Sequence, residues 1–271
     1  MDLNIIHNID CYEGLKTLPD NSIDCIVTSP PYWSLRSYEH PNQIGIEDDF
    51  FEYVTRITDF FKDAKRVLKS TGTAFINIGD TYGGAGHGYA KQWHKSKERY
   101  KLMDDDNKTA KLRNSDYNKS MLMLPYRFAI GMIDNGLKLR NIIIWHKPNQ
   151  LPQGVTDRFT NDFEPIFFFT KSNKYNFTQQ LEPYDKPLDR WGGNTLIVNG
   201  TSEWSEATNQ NIYRNRNMRP NPDGRNMRCV WQINTRGEKE KHYATYPQKL
   251  VARCINAGCP ENGIVLDPFH G

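Results

Sequence analysis

The chain has 271 residues, 35 Lys and Arg against 32 Asp and Glu, and a net charge of +3 with histidine neutral; 37% hydrophobic and 12% aromatic residues exclude a globally disordered chain. No run of about 18 apolar residues could span a bilayer, and the start MDLNIIHNIDCYEG lacks the basic head and apolar stretch of a secretory signal. Five cysteines at irregular spacing, without a CxxC pair, fit neither a disulfide framework nor a zinc site, so an intracellular protein with reduced cysteines, no metal and no membrane partner is expected.

Short apolar runs alternate with amphipathic stretches, the pattern of an α/β fold with a largely parallel sheet. LNIIH (Leu3 to His7) and IDCIVT (Ile23 to Thr28) read as the first strands. Asp49 to Lys69 reads as a helix, with Phe50, Tyr53, Val54, Ile57, Phe60, Phe61, Ala64, Val67 and Leu68 on one stripe and a stop at Ser70-Thr71-Gly72. A strand over Thr73 to Ile78 follows. Gly83 to Ser120 has nine Lys/Arg against five Asp/Glu and little apolar period, which predicts a long mobile loop. A helix over Met121 to Asn135 and strands over Leu139 to Trp145 and Pro165 to Phe169 come next. Glu182 to Lys241 is rich in Asn, Gly, Pro and Arg, and carries Arg214, Arg216, Arg219, Arg225 and Arg228, opposed only by Asp223 between Ile212 and Arg228, a pattern suited to a polyanion. A helix over Pro247 to Ala257 and a strand over Ile264 to Leu266 close the chain.

Ser29-Pro30-Pro31-Tyr32 follows the strand IDCIVT directly. Two prolines cannot continue a ladder, so the chain turns where the strand ends, which is where ligands bind in a parallel α/β sheet. The turn presents the Ser29 hydroxyl, the Pro30 carbonyl and the Tyr32 ring to one point. An exocyclic amine on a nucleobase is a poor nucleophile because its lone pair is delocalised into the ring. Two acceptors, Ser29 Oγ and Pro30 O, would orient it and stabilise the positive charge developed in methyl transfer. Tyr32 would stack on a base taken out of the duplex.

TSPPYW resembles the catalytic motif of the S-adenosylmethionine-dependent amino-methyltransferases of DNA, and Asp267-Pro268-Phe269-His270-Gly271 resembles the start of their cofactor motif, DPFxGxGT. With the catalytic motif near the N-terminus and the cofactor motif near the C-terminus, the order is that of the beta class. RVLKSTGTAFINIGDTYGG, LRNIIIWHKPNQLP and HYATYPQKLV are similar to further family segments, in the family's order. The resemblance implies a Rossmann-like class I methyltransferase with a mixed, mainly parallel seven-stranded sheet. It implies a catalytic domain over 1–181, a target-recognition region over 182–241, and a cofactor-binding part over 242–271. Ser29, Pro30, Pro31 and Tyr32 would be catalytic. Asp10, Cys11, His242, Pro247, Asp267, Pro268, Phe269 and Gly271, with Ala244 and Tyr246, would surround S-adenosylmethionine, although Asn8-Ile9 replaces the family's usual glycine before Asp10. The five arginines, Lys95 and Lys97 would contact duplex DNA.

Serine at the head of the motif is typical of members acting on N4 of cytosine, with adenine N6 as the second reading and a non-catalytic DNA-binding fragment as the third. Cytosine C5 chemistry is disfavoured, since no Pro-Cys dipeptide exists. A prokaryotic or phage-encoded cytoplasmic enzyme, with a cognate restriction endonuclease as partner, is the implied setting. The chain stops inside its cofactor motif. A further helix, strand and helix of roughly 30–60 residues, from a longer chain or a complementing one, is therefore expected.

Overall fold

Asp10 accepts from the amides of Tyr12 and Glu13 at 2.9 and 3.3 Å, satisfying two donors that a helix start leaves open, and α1 (Cys11–Thr17) follows. The structure is a computed structural model that describes residues 2–35, 38, 40, 42–84, 108–184, 221, 223–235 and 246–270. Strand β1 (Ile23–Thr28) is buried at every position. Asp49 caps α2 (Phe50–Val67), whose buried face is the predicted apolar stripe except that Val54 is half-buried and Leu68 already belongs to the next strand. The chain leaves α2 straight into β2 (Leu68–Asn77), so Ser70, Thr71 and Gly72, expected to follow the helix as its stop, lie within a strand.

The described end of the expected loop, residues 108–120, is ordered by a short helix α3 (Lys108–Lys111) and a 3-10 turn (Leu112–Asn114). Lys108 is buried there and pairs with Asp48 at 2.7 Å, which a solvated loop would not provide. Helix α4 (Leu124–Asp134) begins with Pro125 in its first turn and leads to β3 (Lys138–His146) and β4 (Phe163–Thr170).

The chain divides into two compact units, Met1–Thr178 with Cys229–Gly271, and Gln179–Arg228. The second contains an antiparallel pair, β5 (Leu181–Glu182) and β6 (Arg225–Asn226). The chain then returns to the first unit as β7 (Val230–Gln232), parallel to β3, followed by α5 (Gln248–Gly258) and β8 (Val265–Leu266). Residues 230–232, inside the span expected for target recognition, therefore complete the main sheet.

That sheet has the order β7-β3-β4-β2-β1-β8 among the described residues. All neighbours are parallel except β4, which runs against both β2 and β3. Alternate side chains leave opposite faces. Ile26, Ala74, Ile76, Phe167 and Phe169 join the cluster built by α2 and α4, while Thr73 and Phe75 meet Gly258 of α5. The expected strand over Leu3 to His7 is absent. Leu3, Ile5 and Ile6 are 52, 55 and 70% exposed, and among the described residues the segment has no ladder partner to satisfy its backbone. Among the described residues no helix is long and apolar enough to cross a membrane.

Candidate active site

The register places Thr28 beside Ile76 and Ile26 beside Leu266, so β1, β2 and β8 end together at one sheet edge. Because β4 runs the other way, its first residues, Phe163 and Glu164, lie at that same edge. The turn after β1 is held from below. Tyr53 of α2 donates to the Pro31 carbonyl at 2.9 Å, Trp33 donates its indole N–H to Glu47 O at 2.9 Å, and Pro30 is buried. Gly45, at φ +98°, passes so close that a Cβ would stand 2.9 Å from the Tyr32 carbonyl.

Tyr32 is the hub. Its hydroxyl lies 3.3 Å from Ser29 Oγ, 3.1 Å from Asn77 Oδ1 and 2.9 Å from Glu164 Oε2. The other Glu164 oxygen pairs with the Lys147 ammonium, which rests 4.3 Å above the Trp145 ring. Burial and the neighbouring Glu164 charge push the Tyr32 phenol well above its ordinary range, so it stays protonated.

Beyond the ring lies a cavity of about 380 Å³, bordered by Tyr32, Gly79, Asp80, Lys147, Gln153 and Glu164 among others. Ser29 and Pro30 are not part of this lining, and Ser29 meets it through the Tyr32 hydroxyl. Asp80 accepts from the Thr81 and Leu124 amides at 2.9 and 3.1 Å, which caps α4. Its second oxygen is buried without a hydrogen-bond partner among the described residues, and burial raises its carboxyl above the usual range.

On the other side of β1, Asp267 ties three elements together. One carboxylate oxygen accepts from Thr28 at 2.5 Å and from the Phe269 amide at 3.1 Å; the other accepts from Tyr246 at 2.5 Å. The Phe269 ring packs 4.8 Å from Phe60, which also touches Tyr12 of α1 at 5.1 Å. Phe60 thus joins the turn after β8 to the start of α1, where Asp10 and half-buried Cys11 stand. Pro247 begins α5 beside Tyr246, and Pro268 is half-buried in the turn.

The edge therefore gathers Ser29, Pro30, Pro31, Tyr32, Asp267, Pro268 and Phe269, with Asp10 and Cys11 linked through Phe60. His242, Ala244, Gly271, Lys95, Lys97, Arg214, Arg216 and Arg219 lie outside the described residues. In the second unit, Arg225 and Arg228 both pair with Glu182, at 2.9 and 2.6 Å. Sequence reading missed Thr28, Asn77, Lys147 and Glu164. Their signal is position: each is a polar residue at or next to the end of an apolar strand, on the edge that carries the motif.

The profile of the DNA methylase family for N6 and N4 amino groups matches residues 23–271. The chain is 34% identical over 262 residues to the type II methyltransferase M.Cfr9I of Citrobacter freundii, covering 97% of this chain and 75% of that one. It is equally 34% identical to M.SmaI of Serratia marcescens, covering 97% and 77%. Among solved structures it is similar to the PvuII cytosine-N4-specific DNA methyltransferase, with a TM-score of 0.58 at 17% identity over 96% of this chain and 71% of that one. It is also similar in fold to a DNA modification methylase candidate from Thermus thermophilus solved with S-adenosyl-L-methionine, with a TM-score of 0.50 at 19% identity, over 97% and 77%. The chain belongs to the N6/N4 DNA methylase family and is a methyltransferase of the type II class.

Proposed function

We propose that the chain methylates the exocyclic N4 of cytosine at a short specific site in duplex DNA, with the target base taken out of the stack. The observation that carries this reading is the place of Ser29. It stands at the end of β1, between the Asp267 turn at the end of β8 and the cavity at the end of β2.

The cofactor side fits S-adenosylmethionine. The Asp267 turn is fixed by three hydrogen bonds, and the partly buried Phe269 and Cys11 pack on the cluster that contains fully buried Phe60, with Asp10 at the start of α1. Asp10, Cys11, Pro268 and Phe269 would hold the cofactor, which supplies an electrophilic methyl group when bound. On the acceptor side, Ser29 Oγ and Pro30 O each take one N–H of the amine. The nitrogen is thereby turned so that its lone pair faces the methyl carbon, and the charge it gains on bond formation is met by two oxygens. On taking the methyl group, whose bond to the cofactor's sulfur would break with the electron pair left on sulfur, the nitrogen would release its surplus proton to water. The PvuII enzyme named above is cytosine-N4-specific, and the relatives at 34% identity are type II methyltransferases, which supports a restriction endonuclease of the same site as the biological partner.

Nucleoside mass spectrometry of duplex DNA incubated with the protein and S-adenosylmethionine tests the reading. N4-methylcytosine is the expected product. A digest containing N6-methyladenine and no N4-methylcytosine overturns the assignment of the base.

A further inference from the structure

We infer that Glu164 is a positioning residue for methyl transfer: through Tyr32 it fixes the direction in which the Ser29 hydroxyl points. This rests on the reading of Ser29 as an acceptor for the target amine. Three oxygens surround the Tyr32 hydroxyl, which has one proton to give. Asn77 donates its amide N–H to Pro165 O at 3.1 Å, so its Oδ1 faces Tyr32 as an acceptor. Glu164 Oε2 is closer, at 2.9 Å, and is the charged acceptor, so the phenolic proton goes there. Lys147 holds the opposite oxygen of that carboxylate and keeps it from rotating away.

With its proton committed to Glu164, Tyr32 Oη is left as an acceptor. The Ser29 hydroxyl, 3.3 Å away, donates to it. Serine has one O–H and two lone pairs. Once its proton points inward at Tyr32, both lone pairs are available to the amine. Without the carboxylate the chain can reverse. Tyr32 then donates to Ser29, one serine lone pair is consumed, and the serine proton is turned toward an amine that also carries protons. Glutamine at 164 permits this reversal, because its Nε2 can donate to Tyr32.

Glu164 comes from the one antiparallel strand of the sheet, and Lys147 follows β3. The two reach Tyr32 only because β4 starts at the edge where β1 and β2 end. Among the described residues no hydrogen bond of Tyr32, Asn77, Glu164 or Lys147 reaches the Asp267 turn, so loss of the Glu164 carboxylate should leave cofactor binding intact.

The test is a double-mutant cycle with Glu164→Gln and Tyr32→Phe, in saturating-substrate kinetics, with calorimetric titration of S-adenosylmethionine as the control for folding. We expect Glu164→Gln to lower kcat by about 10- to 100-fold, with the KM for DNA and the affinity for S-adenosylmethionine changed less than about threefold. Tyr32→Phe should lower kcat comparably, and adding Glu164→Gln to it should cost less than about a further twofold. Unchanged kcat in Glu164→Gln, or losses that multiply in the double variant, overturns the relay. Product analysis of the wild-type reaction runs beside the cycle. N6-methyladenine in place of N4-methylcytosine would sink the base assignment while leaving the predicted cycle intact.

Discussion

At the scale of single residues, the site depends on two glycine and hydroxyl contacts that flank β1. A Cβ at Gly79 would lie 2.5 Å from Tyr32 Cε2 and 2.9 Å from Cδ2. Gly79→Ala must therefore displace the ring that links the cavity to Ser29, and a displacement of this kind should lower kcat by about 10- to 100-fold. Cofactor affinity should hardly change, because Asp267 lies across β1. Thr28→Val is predicted to show the opposite split. It removes the 2.5 Å bond to Asp267, and should reduce S-adenosylmethionine affinity and cost about 1–2 kcal/mol in urea unfolding. Steady-state kinetics with calorimetric titration of both variants would expose a failure, since equal effects on kcat and affinity in either one contradict the division. Ser29 to Tyr32 could be read from the sequence because the turn is contiguous and its prolines force it. Asn77, Lys147 and Glu164 could not, because they meet only through strand order, and strand order is a long-range fact that local patterns do not contain.

At the scale of elements, α5 ends against the sheet with no room to spare. Gly258 is buried, and a Cβ there would fall 2.4 Å from Thr73 Oγ1 and 2.5 Å from Phe75 Cε2. Gly258→Ala should destabilise the fold by about 1–3 kcal/mol, read as a lower urea midpoint at unchanged slope. Residual activity at low temperature should remain near wild type, since the contact lies away from the Ser29 turn. Helices α2, α4 and α5 were legible because each carries an apolar stripe with helical period. Strands β1, β3 and β4 were legible as β-branched and aromatic runs. Leu3 to His7 has the same local character, yet a strand exists only where a neighbour completes its hydrogen bonds, and among the described residues none pairs with it. β7 shows the converse: VWQ is too short to stand out, and pairing with β3 makes it a strand.

At the scale of the whole molecule, one reversed strand decides the architecture of the site. With β4 parallel, its first residues would fall at the opposite edge and the cavity would lose Glu164 and Phe163. The same sheet sequesters the thiols unequally. Cys25 in β1 and Cys254 in α5 are fully buried, Cys11 is half-buried, and Cys229 is exposed. Burial pushes the Cys11 thiol up to about 11 and Cys25 up to about 12, from an ordinary 9.0. Because the folded values lie above the unfolded one, the folded state binds these protons more tightly. Their contribution to stability is complete below about pH 9 and is lost as pH rises through 11 to 12. Buried Tyr32 and Tyr53, also shifted upward, act in the same direction. Unfolding followed from pH 7 upward should therefore show a stable plateau that falls steeply on the alkaline side. At pH 8 a thiol reagent should modify Cys229 within the native protein, while Cys25 and Cys254 react only at the rate of unfolding. Peptide mapping during labelling checks this directly, and native-state modification of Cys25 as fast as Cys229 would show that β1 is not closed as the structure requires.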